Sequence, residues 1–341
     1  MANRAPQSPA DPNEEALRAL HREKLTAHRG LATWGENLVP LGAFRAAAEA
    51  AGFSLSPKER DARAREFLAP EADPTPVEGP FRRILVFGGV YSNHLALGQL
   101  LEEAARRQVD AIYCLGDLGG FGPNPEKVWP LLVSGGVRAI QGNYEESLAS
   151  GREDCNCGYT DPRDNHFAEV SYRYTERNCS TAFKSWMGAL PKRRRVRVGN
   201  RELVLVHGSP RRINEFLFRS TCPAPFLEVL LDRERADALL CTHTGLHWHR
   251  RLPSGRDAIN VGVIGRPAND GDLAVRYAVI GEGEGGDLSV ELSPLRYDHL
   301  GLAAEMRAER LPEEFVLTVT SGWWTTCLEI LPPRERAASR Y

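Results

Sequence analysis

Asp117, Asn143, His207 and His243 each follow a strand-like run and sit beside a glycine or a turn, in Gly116-Asp117, Gly142-Asn143, His207-Gly208 and Thr242-His243. Together they offer a carboxylate oxygen, an amide oxygen and two imidazole nitrogens. That mixed set suits Mn, Fe or Zn better than Ca. Adjacent glycines let the backbone turn sharply enough for short side chains from separate strands to converge. Singly the residues are ordinary, because Asp or Asn after Gly is common in turns and a lone His is more often a hydrogen-bonded core residue than a ligand. Their order and spacing give the set its meaning.

The elements that must position them follow a mixed pattern. Strand-like apolar runs fall at 83–87, 111–114, 137–140, 196–198, 203–206, 238–241, 258–261, 275–280 and 288–292, with a helix over 94–107 carrying Leu97, Leu100, Leu101 and Ala104 on one face. The glycine-rich stretch 281–286 predicts a hairpin between the last two strands. Mixed strands and helices with ligand types just after strand ends predict an α/β fold, a layered α+β sandwich whose site lies at the carboxyl ends of strands.

Over about 81–280 the motifs resemble those of the calcineurin-like metallophosphoesterases, especially the small bacterial branch. In order they are Gly89-Val-Tyr91-Ser-Asn93, Gly116-Asp117, Gly142-Asn143-Tyr144-Glu145, His207-Gly208 and Thr242-His243-Thr244-Gly245, with 260–267 similar to the family's closing loop. The resemblance implies a β-sandwich flanked by helices and a two-metal phosphoester hydrolase. It also implies which ligands are missing. Where the family places an Asp and a His in its first motif and a final His in its fifth, this chain has Gly89, Tyr91 and Gly245. Ligands of the other metal are all matched, by Asp117, Asn143, His207 and His243.

The expectation is therefore a single retained site for one divalent transition metal (Fe, Mn or Zn), in a hydrolase acting on a small phosphomonoester or phosphodiester. Tyr144 replaces the family's motif-three His, and a tyrosine is a poorer general acid unless its pKa is depressed. Tyr91, Tyr144 and Asn93 are expected around the vacated position, with Arg211 and Arg212 as candidate charge partners for phosphate. Two other readings stay open: a mononuclear non-haem iron redox enzyme, and a non-catalytic metal- or ligand-binding module.

Cys155 and Cys157 lie in a segment that looks inserted after the third motif, and they read as further thiolate ligands, a redox pair or a plain turn. The seven cysteines are otherwise expected to be reduced and buried. The segment 320–332, with Trp323, Trp324 and Cys327, reads as a cap on the site, an interface or part of the core. His247 and His249 read as loop residues.

At 341 residues the chain can bury a large core without metal or disulfides, so stability does not explain the ligand cluster. A formal charge of −2 gives no drive toward nucleic acid or anionic lipid, and the run 192–195 reads as the solvated start of a strand. The N-terminal stretch has no apolar core, and no window approaches the roughly 18 uninterrupted apolar residues that span a bilayer. The expected setting is cytoplasmic, with a small phosphorylated partner, no membrane, no nucleic acid, and oligomerisation open. The domain reading is an N-terminal helical extension and linker over 1–80, with helices at 13–26 and 41–51, a main domain over 81–295, and a C-terminal extension over 296–341 packing on it.

Overall fold

The computed structural model describes residues 75–338. The helices expected at 13–26 and 41–51 lie outside the described residues. In chain order the elements are β1 (Val77–Phe81), β2 (Arg83–Phe87), α1 (His94–Arg107), β3 (Ala111–Cys114), α2 (Val128–Ser134), β4 (Arg138–Ala139), α3 (Asn143–Ser150), α4 (Pro162–Asn178) and α5 (Thr181–Gly188). They continue with β5 (Arg193–Val198), β6 (Arg201–Val206), α6 (Ala224–Glu234), β7 (Ala238–Cys241), β8 (Trp248–Arg251) and β9 (Asp257–Asn260). The last are β10 (Val275–Glu282), β11 (Leu288–Leu295), α7 (His299–Ala308), α8 (Glu313–Ser321) and α9 (Pro333–Ala337).

The strands form two sheets, ordered β1-β5-β6-β7-β9-β8 and β11-β10-β2-β3-β4. Alternation along each strand explains how both sheet faces are buried. Ile84 and Val86 of β2, Leu203 and Leu205 of β6, and Ala238 and Leu240 of β7 meet between the sheets. Their neighbours Leu85 and Phe87 turn outward onto Leu97, Leu100 and Ala104 of α1. On the opposite face Val204, Val206, Leu239 and Cys241 pack on Phe226, Leu227 and Leu230 of α6. The sandwich and its helical layers are those the sequence predicts, and β10 and β11 pair as the expected antiparallel hairpin.

Two strands were not legible. The stretch 69–80 reads as a linker because it carries four prolines and a glycine, yet Val77–Phe81 pairs in parallel with β5 as an edge strand. An edge position tolerates Pro80, which falls where the register with β5 shifts between Glu78 and Phe81. His249, expected in a loop, lies in β8 at the opposite edge of that sheet, with Nε2 2.7 Å from Asp257 Oδ1.

The basic run at the start of β5 is neutralised internally. Lys192 pairs with Glu146 at 2.7 Å, Arg193 with Glu234 at 2.9 Å, Arg194 with Glu78 at 2.6 Å, and Arg195 Nε with Glu202 at 2.8 Å. Past β11, α7 and α8 pack Leu302, Met306, Phe315 and Val319 against Phe121, Phe167 and Tyr174, which brings the C-terminal segment over one end of the sandwich.

Leu205 is fully buried between the sheets, so Leu205→Ala should lower the unfolding free energy by about 2–5 kcal/mol. Val133→Ala, on an exposed face of α2, should change it by no more than about 0.5 kcal/mol. Urea denaturation of the two variants reads the contrast.

Candidate metal centre

β3 and β4 are parallel neighbours in one sheet, and β6 and β7 are parallel neighbours in the other, so the loops leaving their carboxyl ends meet at one end of the sandwich. These loops carry Asp117, Asn143, His207 and His243. Their approach depends on glycine. A Cβ on Gly116, which has φ +89°, would lie 2.3 Å from the Gly142 nitrogen, and one on Gly142 would lie 2.5 Å from Asp117 Oδ1 and 2.9 Å from His207 Cε1. Asp117 and His243 themselves hold positive φ, 57° and 65°, a region that residues with a Cβ adopt at a cost.

Polar atoms converge on His207 Nε2. It lies 3.2 Å from Asp117 Oδ2, 3.0 Å from Asn143 Oδ1 and 3.0 Å from His243 Nδ1. The network fixes the tautomers. His207 Nδ1 donates to the Leu115 carbonyl at 2.6 Å, and His243 Nε2 donates to the Cys157 carbonyl at 3.2 Å. Asn143 Nδ2 donates to the Cys155 carbonyl at 2.7 Å, which turns its Oδ1 inward. The inward atoms of the neutral cluster are therefore all acceptors, and acceptors at 3 Å repel unless a positive charge sits among them.

The protonation equilibria respond to the same deficit. Burial and the neighbouring His207 push His243 down to about 3, so it is held neutral. For His207, burial works downward but is outweighed by the Asp117 carboxylate, and the net direction is up. Asp117 moves down because the two imidazoles outweigh its burial. One proton on His207 relieves one contact, whereas a divalent cation satisfies all the acceptors at once. The N/O donor set fits a first-row transition metal. Asp117, His207 and His243 form the candidate metal-binding group, buried and with ligand atoms within 4.8 Å of one another.

Two outer residues hold the ligand turns. Glu145, at the third position of α3, accepts hydrogen bonds from Gly142 N at 2.7 Å, Asp117 N at 2.8 Å and Leu118 N at 2.8 Å, which ties the Asp117 and Asn143 turns to one carboxylate. Burial and the Asp117 charge push its pKa up to about 7, against the three N–H donors that favour the ionised form. On the other side Asn260 Nδ2 donates to the Thr242 carbonyl at 2.9 Å and Thr244 Oγ1 at 3.0 Å, clasping the turn that bears His243.

Comparison with known proteins agrees with this fold. Residues 83–280 match the calcineurin-like phosphoesterase superfamily domain, which is more than half of the chain. The chain belongs to that superfamily. An uncharacterised protein of Methanocaldococcus jannaschii is 23% identical over 246 residues, covering 67% of this chain and 94% of that protein. The fold is shared with the crystal structure of a metallophosphoesterase from Sphaerobacter thermophilus, at a TM-score of 0.55 and 24% identity over 71% of this chain and 99% of that one. It is also shared with a hypothetical protein from Pyrococcus horikoshii, at a TM-score of 0.60 and 20% identity over the same 71% and 99%.

Within this superfamily fold, the other residues singled out from the sequence have varied placements. Tyr91 and Tyr144 line a hollow beside Asp117 and His243. Asn93 does not line it: its side chain caps α1 through Ala96 N at 3.0 Å and donates to the carbonyls of Ile264 and Gly265. Arg211 turns to buried Glu215, with Nε 3.1 Å from its carboxylate, and lies 5.1 Å from the Phe226 ring. Arg212 is exposed, and neither arginine lines the hollow. Cys155 and Cys157 are bonded to each other, so neither sulfur is the thiolate ligand that their spacing suggested. Their loop contributes backbone carbonyls instead. Cysteines 114, 179, 222, 241 and 327 are free and buried, as expected. His247 stays in the loop after the fifth motif and is not in the ligand group.

Arg266 from the closing loop, Tyr159 and Thr326, none of them marked out as a site residue by the sequence, complete the hollow together with Cys327 of the C-terminal segment, whose placement there agrees with the cap reading. Trp324 stacks on Arg266, its ring centre 3.7 Å from the guanidinium carbon. The available signal was the pairing of a Gly-Arg-Pro turn with a distant Gly-Trp-Trp, which only tertiary contact joins.

Glu145→Gln replaces an acceptor of three N–H bonds with one able to satisfy fewer of them. It should cost about 3 kcal/mol in chemical denaturation and weaken metal binding about 10–100-fold by competition with a chelator. Gly142→Ala should abolish metal retention, since its Cβ would collide with Asp117 and His207.

Proposed function

We propose that this protein is a hydrolase of small phosphoesters working with one divalent transition metal, held by Asp117, Asn143, His207 and His243. The observation that carries the reading is the convergence of inward acceptors on His207 Nε2, all within 3.2 Å. Bound there, the ion would supply Lewis acidity toward a phosphoryl oxygen and activation of water. Against a second metal stands what fills the space at the family's other ligand positions. A Cβ on Gly89 would lie 2.8 Å from the Tyr91 ring, and one on Gly245 would lie 2.8 Å from the Trp324 ring.

The hollow beside the centre holds about 50 Å³. At roughly 10–15 Å³ per water, that is room for about four waters, the size class of one tetrahedral oxyanion. A terminal phosphoryl group fits better than both arms of a diester. Tyr144 lies in the hollow with its hydroxyl 2.9 Å from Ser171 Oγ, and burial raises both its pKa and that of Tyr91 well above the usual phenol range. They orient an oxyanion as neutral hydrogen-bonding groups. With His243 also held neutral, the hollow offers, among the described residues, no strong proton donor to a leaving oxygen.

The reading takes 81–295 as the catalytic unit, to whose sheet β1 adds the residues from Val77, so the N-terminal extension ends short of residue 80, and takes 296–338 as an extension packed over the site. Among the described residues no helix is long and apolar enough to cross a membrane. A cytoplasmic setting and a small phosphorylated partner belong to the same proposal.

Purified protein should carry about one transition metal per chain and hydrolyse p-nitrophenyl phosphate, with Asp117→Ala losing both. Without a strong acid in the hollow, rates should fall steeply as the leaving-group pKa rises, so alkyl phosphates should be much poorer substrates than aryl ones, and bis(p-nitrophenyl) phosphate poorer than the monoester. Metal-free protein would refute the reading. Bound iron with oxygen-dependent spectral change and no hydrolysis would favour redox chemistry.

A further inference from the structure

Arg266 is only 5% exposed. Its guanidinium contacts the faces of Trp324 at 3.7 Å, Phe121 at 5.7 Å and Tyr91 at 5.8 Å. The Cys327 thiol and the phenols of Tyr91 and Tyr159 lie around it, and Nε has no partner. Among the described residues no carboxylate pairs with it. A buried, permanently charged group without a counter-ion is costly, and proteins keep such groups where a ligand completes them. Thr326 Oγ1 is likewise buried without a partner. Both residues line the hollow that also contains Asp117 and His243.

The position of the guanidinium matters as much as its isolation. Gly245 stands where the family has the last ligand of its second metal, and a Cβ there would lie 3.3 Å from Arg266 Nη2. Trp324 is pinned beside it, donating from Nε1 to the Pro267 carbonyl at 2.6 Å and from its backbone N–H to Asn269 Oδ1 at 2.8 Å. We infer that Arg266, braced by Trp324, takes the place of the second metal as a fixed cation, and that with Thr326 it forms a binding site for the phosphoryl oxygens of a phosphomonoester or of inorganic phosphate. A planar guanidinium suits this role, since it presents paired N–H donors to a tetrahedral oxyanion and keeps its charge at all accessible pH. The inference rests on the single-metal reading for the identity of the vacated position, but phosphate binding is measured without turnover.

The test is calorimetric titration of the metal-loaded full chain with inorganic phosphate, alongside thermal melts and metal analysis. Wild type should bind phosphate and gain Tm with it. Arg266→Met should bind at least about tenfold more weakly and lose the phosphate-dependent gain in Tm while keeping its metal, and Thr326→Val should weaken binding to a lesser degree. Phosphate affinity unchanged in Arg266→Met, or no binding by wild type, would overturn the inference. Should Arg266→Met fail to fold, Arg266→Lys carries the test: it keeps the charge without the planar fork, so weaker binding supports the assignment and wild-type affinity refutes it. If wild type holds no metal, the single-metal reading fails, while the dependence of phosphate binding on Arg266 still decides this one.

Discussion

The Glu145 carboxylate accepts hydrogen bonds from the backbone of Gly142, Asp117 and Leu118, and the geometry of the whole centre depends on it. Two loops leaving different strands of one sheet are tied at their tips, so Asp117 and Asn143 cannot drift apart. Gly116 and Gly142 lie too close for any side chain between them. From the same sheet the Leu115 carbonyl reaches across to orient His207, and on the opposing sheet Asn260 clasps the turn of His243. The positive φ of Asp117 and His243 is tolerated because these contacts over-determine it.

The same end of the sandwich is asymmetric in its chemistry. Around His207 lie acceptors that call for a cation. In the adjoining hollow, aromatic rings flank a guanidinium that calls for an anion. In the proposed reading, a metal on one side and a fixed organic cation on the other would make a clamp for a doubly charged oxyanion. The clamp bears its own cost, because an unpaired buried charge lowers stability until a ligand arrives. Such local sacrifice is common where function competes with stability.

The C-terminal segment belongs to this arrangement. α7 and α8 pack on Phe121 and Phe167, and that docking delivers Trp324, Thr326 and Cys327 to the hollow. The disulfide-bonded loop at 155–157 closes the other side with carbonyls that orient Asn143 and His243. Both features lie outside the superfamily's short motifs.

The sequence by itself determined the sandwich, the helix over 94–107 and the order of the turns that carry Asp117, Asn143, His207 and His243. Each of these follows from local signals: alternation along strands, glycine beside a short polar side chain, and motif order. It misjudged β1 and β8 because edge strands bury little and tolerate Pro, His and Arg. It could not find Arg266, whose role depends on Trp324 some sixty residues later, nor see that Arg211 turns to Glu215 and that Asn93 caps a helix. Which polar groups have partners is decided by the tertiary structure alone, because a side chain's value to a ligand depends on what remains unsatisfied once the chain has folded around it.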